Sequence, residues 1–444
     1  MNKYAFGGLF LSLSLGGSSL AWGDAVTDWN ANAGRAAIAA CLGPATKEEF
    51  HLSRMYAMMH AAIHDALNAI TRRFRPYVLD TRVPSWTSAD AAVATAAHDV
   101  MVPLLGQLPA IISTTCIAAG IASVEADYAA ALGMIQTGPA KRQGTMIGHM
   151  AAAAILNLRA ADGADTPLLD FNYPEGAKPG EWRFTPGVPF AAAVGWGQVT
   201  PFALKEGSQF RPGPPYAVTS ERYAADFNEV KALGAKLGSA RTEEQTQIGH
   251  FWAESTPLGW NRIARTVAEE AGRDIWQHAR LFGLLNFALA DGYIGTFETK
   301  YHYKFWRPLT AIRLADSDGN PDTIADPNWD SLDPTPPFPE YDSAHAVEGG
   351  AAAEVLRRVF KTDRVGFSAC SYTLPLPEEQ CGGAKEVLRS FDSFSQAADE
   401  NDVSRIYLGI HFRKAVEEGL EHGRKIGERA VEHFLQRAYQ VRER

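Results

Sequence analysis

A chain of 444 residues, 46% apolar and 21% charged, can bury a large core and lies far from the composition of a disordered protein. Its formal charge of −9 excludes nucleic-acid binding by general basicity and requires any anion site to be a local gathering of cations. No long Gly/Ser linker breaks the helical patterns, so one large helical body is expected, in an N-terminal region over 24–215 and a C-terminal region over 216–444.

Lys3, an apolar stretch over 4–20 and then Ala21-Trp22-Gly23 read as an export signal over 1–23, so the mature chain is expected to start near Asp24 and to be secreted or periplasmic. Gly and Ser dilute the apolar stretch below the roughly 20 residues of a membrane span, and no stable membrane anchor is expected. In an oxidising compartment Cys41, Cys116, Cys370 and Cys381 are compatible with two disulfides in any of three connectivities. Cys370 with Cys381, closing a short Pro-containing loop, is the expected pair, against two unpaired thiols.

Amphipathic patterns rich in Ala and Met predict helices over 48–72, 88–104, 115–132 and 141–162. A Pro-, Gly- and aromatic-rich connection follows over 166–216. Helical periodicity resumes over 220–237, 242–251, 260–271 and 273–305, and the last of these stops where Arg307 precedes Pro308. A polar loop over 316–339 leads to helices over 344–360, 384–398 and 404–442. No stretch alternates with period two, so the expected fold is all-α, a large helical bundle with little or no sheet.

Three segments carry the chemistry. Lys300 and Arg307 lie two helical turns apart and point the same way if the helix persists, with Lys304 between them. Such a run is ordinarily a solvated face, but Tyr301, Tyr303, Phe305 and Trp306 make this surrounding too aromatic for an exposed helix end. Tyr341-Asp342-Ser343-Ala344-His345 opens an Ala- and Gly-rich helix, whose N-terminus offers unpaired N–H groups while Ser343 adds a hydroxyl donor. A capped helix start with a buried structural His345 is the alternative. Ser404-Arg405 and His411 are read as the start of the final helix, Arg405 in its first turn and His411 deeper along it. An arginine fork matches phosphate, and a neutral imidazole can attack phosphorus or ligate vanadium.

In order, Lys300 with Arg307-Pro308, then Ser343-Ala344-His345, then Ser404-Arg405 with His411, resemble the vanadium-dependent haloperoxidases and the type 2 phosphatidic acid phosphatases and bacterial acid phosphatases that share their site. Residues 55–66, 195–202 and 300–308 look like the bacterial haloperoxidase-like group. The resemblance implies a vanadate, or phosphate in the same place. Lys300, Arg307 and Arg405 would neutralise its oxygens, Ser343 and the Ala344 N–H would hydrogen-bond it, His411 would bind vanadium or be phosphorylated, and His345 would be the acid/base partner. It implies oxidation of halide by hydrogen peroxide for an organic acceptor, with phosphate-ester hydrolysis, or a degenerate oxyanion binder, as the other readings. Phe297 and Phe338 would line the halide side, with ordinary core aromatics as the alternative.

This chain departs from the family's Pro-Ser-Gly-His at Asp342 and Ala344, and from its Asp four residues past the last His at Ala415. As an N-cap, Asp342 would compete for the N–H groups an anion needs unless an arginine holds it. Glu418 is the candidate to replace the missing orienter of His411. Two weaker signals are set aside. His60 and His64, with Asp65, lack the Glu of the zinc protease motif and read as a helix interface. Asp316, Asp318, Asn320 and Asp322 alternate as in a calcium loop but have Pro321 where Gly is needed, and read as a solvated turn.

Overall fold

A computed structural model describes residues 23–42, 49–374, 381 and 386–438. Of the export signal, 1–22 lie outside them. Among the described residues, the N-terminal helices are α1 (Ala25–Ala39), α2 (Glu49–Ile70), α3 (Ala89–Gly106), α4 (Thr114–Met134) and α5 (Pro139–Leu158). After the connection come α6 (Glu221–Leu233), α7 (Glu243–Phe251), α8 (Thr256–Glu270), α9 (Ile275–Tyr303), α10 (Pro308–Arg313), α11 (Ala344–Phe360), α12 (Phe394–Tyr407) and α13 (Arg413–His433). The sheet is confined to two antiparallel two-stranded ribbons, β1 (Leu169–Asp170) with β2 (Ala191–Ala192) and β3 (Phe367–Ala369) with β4 (Arg389–Phe391). The fold is the expected all-α bundle.

The structure differs from expectation at several elements: in place of the short helix expected over 384–398, β4 occupies Arg389–Phe391 and α12 starts only at Phe394, where Ser393 caps it by accepting the Gln396 N–H. The sequence reading assigns nothing to α1, which Asp24 starts by accepting from the Val26 and Thr27 N–H groups. Helix α8 begins four residues before the expected 260, because Pro257 suits a first turn, where its missing N–H leaves no partner unpaired. The expected final helix over 404–442 is instead two helices, split where Gly409 takes φ 78°. Cys41 pairs with Cys116, and Cys370 with Cys381 as expected. Helix α4, which carries Cys116, is long and apolar enough to cross a membrane, and it packs on α1 and α3.

Helices α2 and α9 are apolar or small nearly all round and therefore lie in the core. Helix α9 packs on α2 on one side and on α11 and α13 on the other. Helices α11 and α13 meet backbone to backbone: a Cβ at Gly423 would collide with the Val347 carbonyl, and one at Gly350 with the Leu420 carbonyl. This contact fixes the start of α11 relative to the start of α13.

The motifs set aside have structural uses. His60 is fully buried, bonded to Asn30 at 2.8 Å and stacked on Tyr56 and Phe282, and burial pushes its imidazole down to about 3. His64 is equally buried and bonds Asp65. The turn at Asp318 is solvated only in part: Asp316 and Asp322 are exposed, whereas Asp318 is buried, its carboxylate accepting from Thr323 Oγ1 at 2.9 Å and from the Asn320 N–H at 2.8 Å.

Candidate active site

Helix α9 ends at Tyr303, where Lys304 adopts the left-handed conformation with φ 51° and its N–H returns to the Lys300 carbonyl. The expected continuous helix from Lys300 to Arg307 is thus broken: Lys304 points to solvent over the Tyr173 ring, and Arg307 is the N-cap of α10. Lys300 and Arg307 nevertheless meet, both essentially without solvent exposure. Lys300 Nζ donates to the Glu340 carbonyl at 2.8 Å and to the Asp342 carbonyl, so it clamps the chain on both sides of Tyr341. Arg307 donates from Nε to the Phe338 carbonyl and from Nη1 to the Ile410 carbonyl, each at 2.9 Å.

Arg405 lies in the last turn of α12 rather than the first turn of a final helix, and Nη1 donates to the Trp252 carbonyl at 3.0 Å. His411 stands in the connection between α12 and α13, beyond Gly409, not deeper along one helix. The bend resolves the six-residue spacing that no straight helix could align. It places Arg307 Nη1 3.2 Å from His411 Nε2.

That contact sets the tautomer. A guanidinium can only donate, so Nε2 carries no hydrogen, and Nδ1–H donates to Glu340 Oε1 at 2.8 Å. The same carboxylate oxygen accepts the Phe412 N–H at 3.0 Å. Burial and the charges of Arg307, Lys300 and Arg405 hold His411 well below the usual imidazole range, so the ring is neutral with its basic nitrogen beside the cations. Glu340 therefore takes the orienting role proposed for Glu418, which pairs instead with Lys414. It escapes a sequence reading because it lies 71 residues from His411. The available signal is a carboxylate placed directly before an anion-binding segment.

Asp342 does not cap α11. Its side chain turns to the opposite side, accepting from Thr296 Oγ1 at 2.6 Å and pairing with His422 Nδ1 at 2.8 Å, both fully buried. The expected competition for the helix N–H groups is absent, and a histidine, not an arginine, holds the carboxylate. Ser343 is the N-cap with no side-chain cap bond, and the Ala344 N–H belongs to the first turn, which a helix leaves without internal acceptors. His345 is half-buried, with Nε2 3.2 Å from the Glu254 carbonyl, so that nitrogen carries the hydrogen. The Phe338 ring lies under both cations, 5.4 Å from Lys300 Nζ and 4.9 Å from Arg307 Cζ. Phe297 is buried behind it, edge-on at 4.9 Å, and packs on Phe50. Phe338 thus faces the site and Phe297 is its core support.

Three buried donors in this region have no protein partner: Arg307 Nη2, Arg405 Nε and Ser343 Oγ. Buried donors without acceptors are rare and costly, and three together suit a multi-oxygen anion. The electrostatics agree. Burial and the Arg307 charge pull Lys300 down to about 7, and burial pulls Arg307 down to about 9. Burial pushes Glu340 up to about 8 against the pull of both cations. A bound anion would relieve the mutual repulsion of the cations.

Residues 280–440 match the family of the VCPO second helical-bundle domain, the segment holding every site residue above. Vanadium chloroperoxidase of Curvularia inaequalis is 28% identical over 307 residues, 55% of this chain and 48% of that protein. The chain thus spans about half the length of this curated relative. Over these residues the chain resembles the vanadium haloperoxidases. The crystal structure of the first bacterial vanadium-dependent iodoperoxidase superposes on this chain with a TM-score of 0.75 at 24% identity, covering 94% of this chain and 97% of that one. A holo-type bacterial vanadium-dependent chloroperoxidase superposes with a TM-score of 0.70 at 19% identity, covering 91% and 95%. The haloperoxidase helical fold therefore extends over nearly the whole described chain.

Proposed function

We propose that this chain oxidises halide with hydrogen peroxide at a vanadate held by Lys300, Arg307, Ser343, the Ala344 N–H, Arg405 and His411. The observation that carries the proposal is the neutral His411, whose bare Nε2 faces a pocket of unpartnered buried donors. Bound there, vanadate supplies a Lewis-acid centre that polarises peroxide without changing oxidation state. The three cations and the Ser343 hydroxyl hold the negative charge in a water-poor site, where each such donor is worth roughly 10²–10³ in rate. His345, whose Nε2–H donates to the Glu254 carbonyl, is the acid/base partner that exchanges a proton with substrate. Phe338 supplies the apolar wall on the halide side. We also propose export, which the two disulfides favour.

The test is halide-dependent bromination of a dye by the purified protein with hydrogen peroxide, with and without added vanadate. Vanadate-dependent turnover is expected. Hydrolysis of p-nitrophenyl phosphate that vanadate inhibits, without bromination, would replace the proposal with a phosphatase acting through phospho-His411. Neither activity in folded protein would leave an oxyanion binder.

A further inference from the structure

A second cavity, of about 830 Å³, opens at the other end of α9. It lies between the start of α9, the end of α11, the segment after α2 and the chain beyond α13. Arg280 and Lys300 are twenty residues apart on one helix, so the two sites are separated by about 30 Å at 1.5 Å per residue. The cavity belongs to neither the chemistry nor the walls of the first site.

Six cations line it: Arg75, Arg273, Arg280, Arg358, Lys361 and Arg437. Arg358 is neutralised by Glu354, Glu428 and Glu432. Arg75, Arg273, Arg280 and Arg437 have no carboxylate partner among the described residues. In a protein of formal charge −9 this is a local reversal of sign.

Two of these guanidiniums are held in place. Arg273 lies 4.2 Å above the Phe360 ring and donates from Nη2 to the Val359 carbonyl at 3.1 Å, while its buried Nε has no partner. Arg280 donates from Nε to the Leu435 carbonyl at 2.8 Å, which leaves its terminal nitrogens uncommitted. A fixed fork loses little freedom on gripping an oxyanion. Arg75 and Arg437 line the cavity from two paired backbone segments, the Arg75 N–H donating to the Gln436 carbonyl at 2.7 Å and Phe74 bridging Arg437. Burial, with the charges of Arg437 and Arg273, pulls Arg280 down to about 10, and a counter-charge in the cavity would offset both.

We propose that this cavity binds a compact polyanion carrying at least two phosphate or sulfate groups, one held by Arg273 and Arg280 and another by Arg75 and Arg437. The volume lies within the roughly 300–1,000 Å³ of small-molecule sites and exceeds what one tetrahedral anion fills. Bidentate guanidinium bonds recognise both groups.

The experiment is calorimetric titration of the full chain with tripolyphosphate and, separately, with sucrose octasulfate. Wild-type protein should bind at least one of them, and the tighter identifies the group. R75Q/R437Q changes only exposed side chains and should weaken binding at least tenfold. R273A/R280A should abolish it, with the circular-dichroism melt reporting whether that variant folds. Arg307→Ala, at the first site, should leave binding unchanged. The proposal is overturned if wild-type protein binds neither probe, if R75Q/R437Q binds like wild type, or if Arg307→Ala alone removes binding.

Discussion

Glu340 and Asp342, on either side of Tyr341, each hold a buried histidine at 2.8 Å, His411 in the first pair and His422 in the second. The pairs differ in where the second ring nitrogen points. His411 Nε2 faces Arg307 and the unpartnered donors, whereas His422 Nε2 is sealed without a partner against Gly295, where an added Cβ would lie only 3.1 Å away. The first pair presents a basic nitrogen to a ligand. The second fastens the Ser343 segment to α9 and α13. A carboxylate–imidazole pair is therefore not itself a mark of chemistry; the surroundings of its outer nitrogen decide the role.

Substitutions should separate the two pairs. The largest effect is expected from His411→Ala, which should remove turnover in the bromination assay while leaving the thermal melt near that of wild type. Asp342→Ala should act on stability instead, costing about 3–5 kcal/mol in urea denaturation, since it strands His422 in a buried pair. A cost below about 1 kcal/mol would show that Asp342 does not fasten the segment. Glu340→Gln should lower activity and vanadate affinity about 10–100-fold, the usual price of losing an outer partner of a metal-binding histidine. The smallest effect concerns pH. Lys300 is held near 7, so its charge, which the anion needs, is present below that pH and lost above it. Anion affinity of wild type relative to Lys300→Arg should be level in acid and fall by up to about tenfold per pH unit above 7. Parallel profiles for the two proteins would mean that Lys300 stays charged.

The candidate site is legible as side-chain types at set spacings: Lys300, Arg307, Ser343, Arg405 and His411 come from three short segments, and the structure buries all five. What was not legible depends on how the backbone turns. Lys304 ends α9 in a left-handed conformation uncommon for a lysine, so the helix seemed to run on to Arg307. Gly409 did carry a readable signal, since a glycine between two helical stretches commonly ends the first. It places Arg405 and His411 on separate elements. Glu340 and His422 could not be assigned partners from sequence, because each pair joins elements far apart in the chain. The long helices α2, α9 and α11 match their expected spans closely, α11 to the residue, since their apolar periodicity is repeated over many turns.

The most direct test of the account is equilibrium binding of orthovanadate to the wild-type chain and to His411→Ala. One equivalent should bind to wild type, and His411→Ala should lose that binding. Equal binding by the two proteins would contradict the assignment of His411 Nε2 as the atom around which this pocket is built.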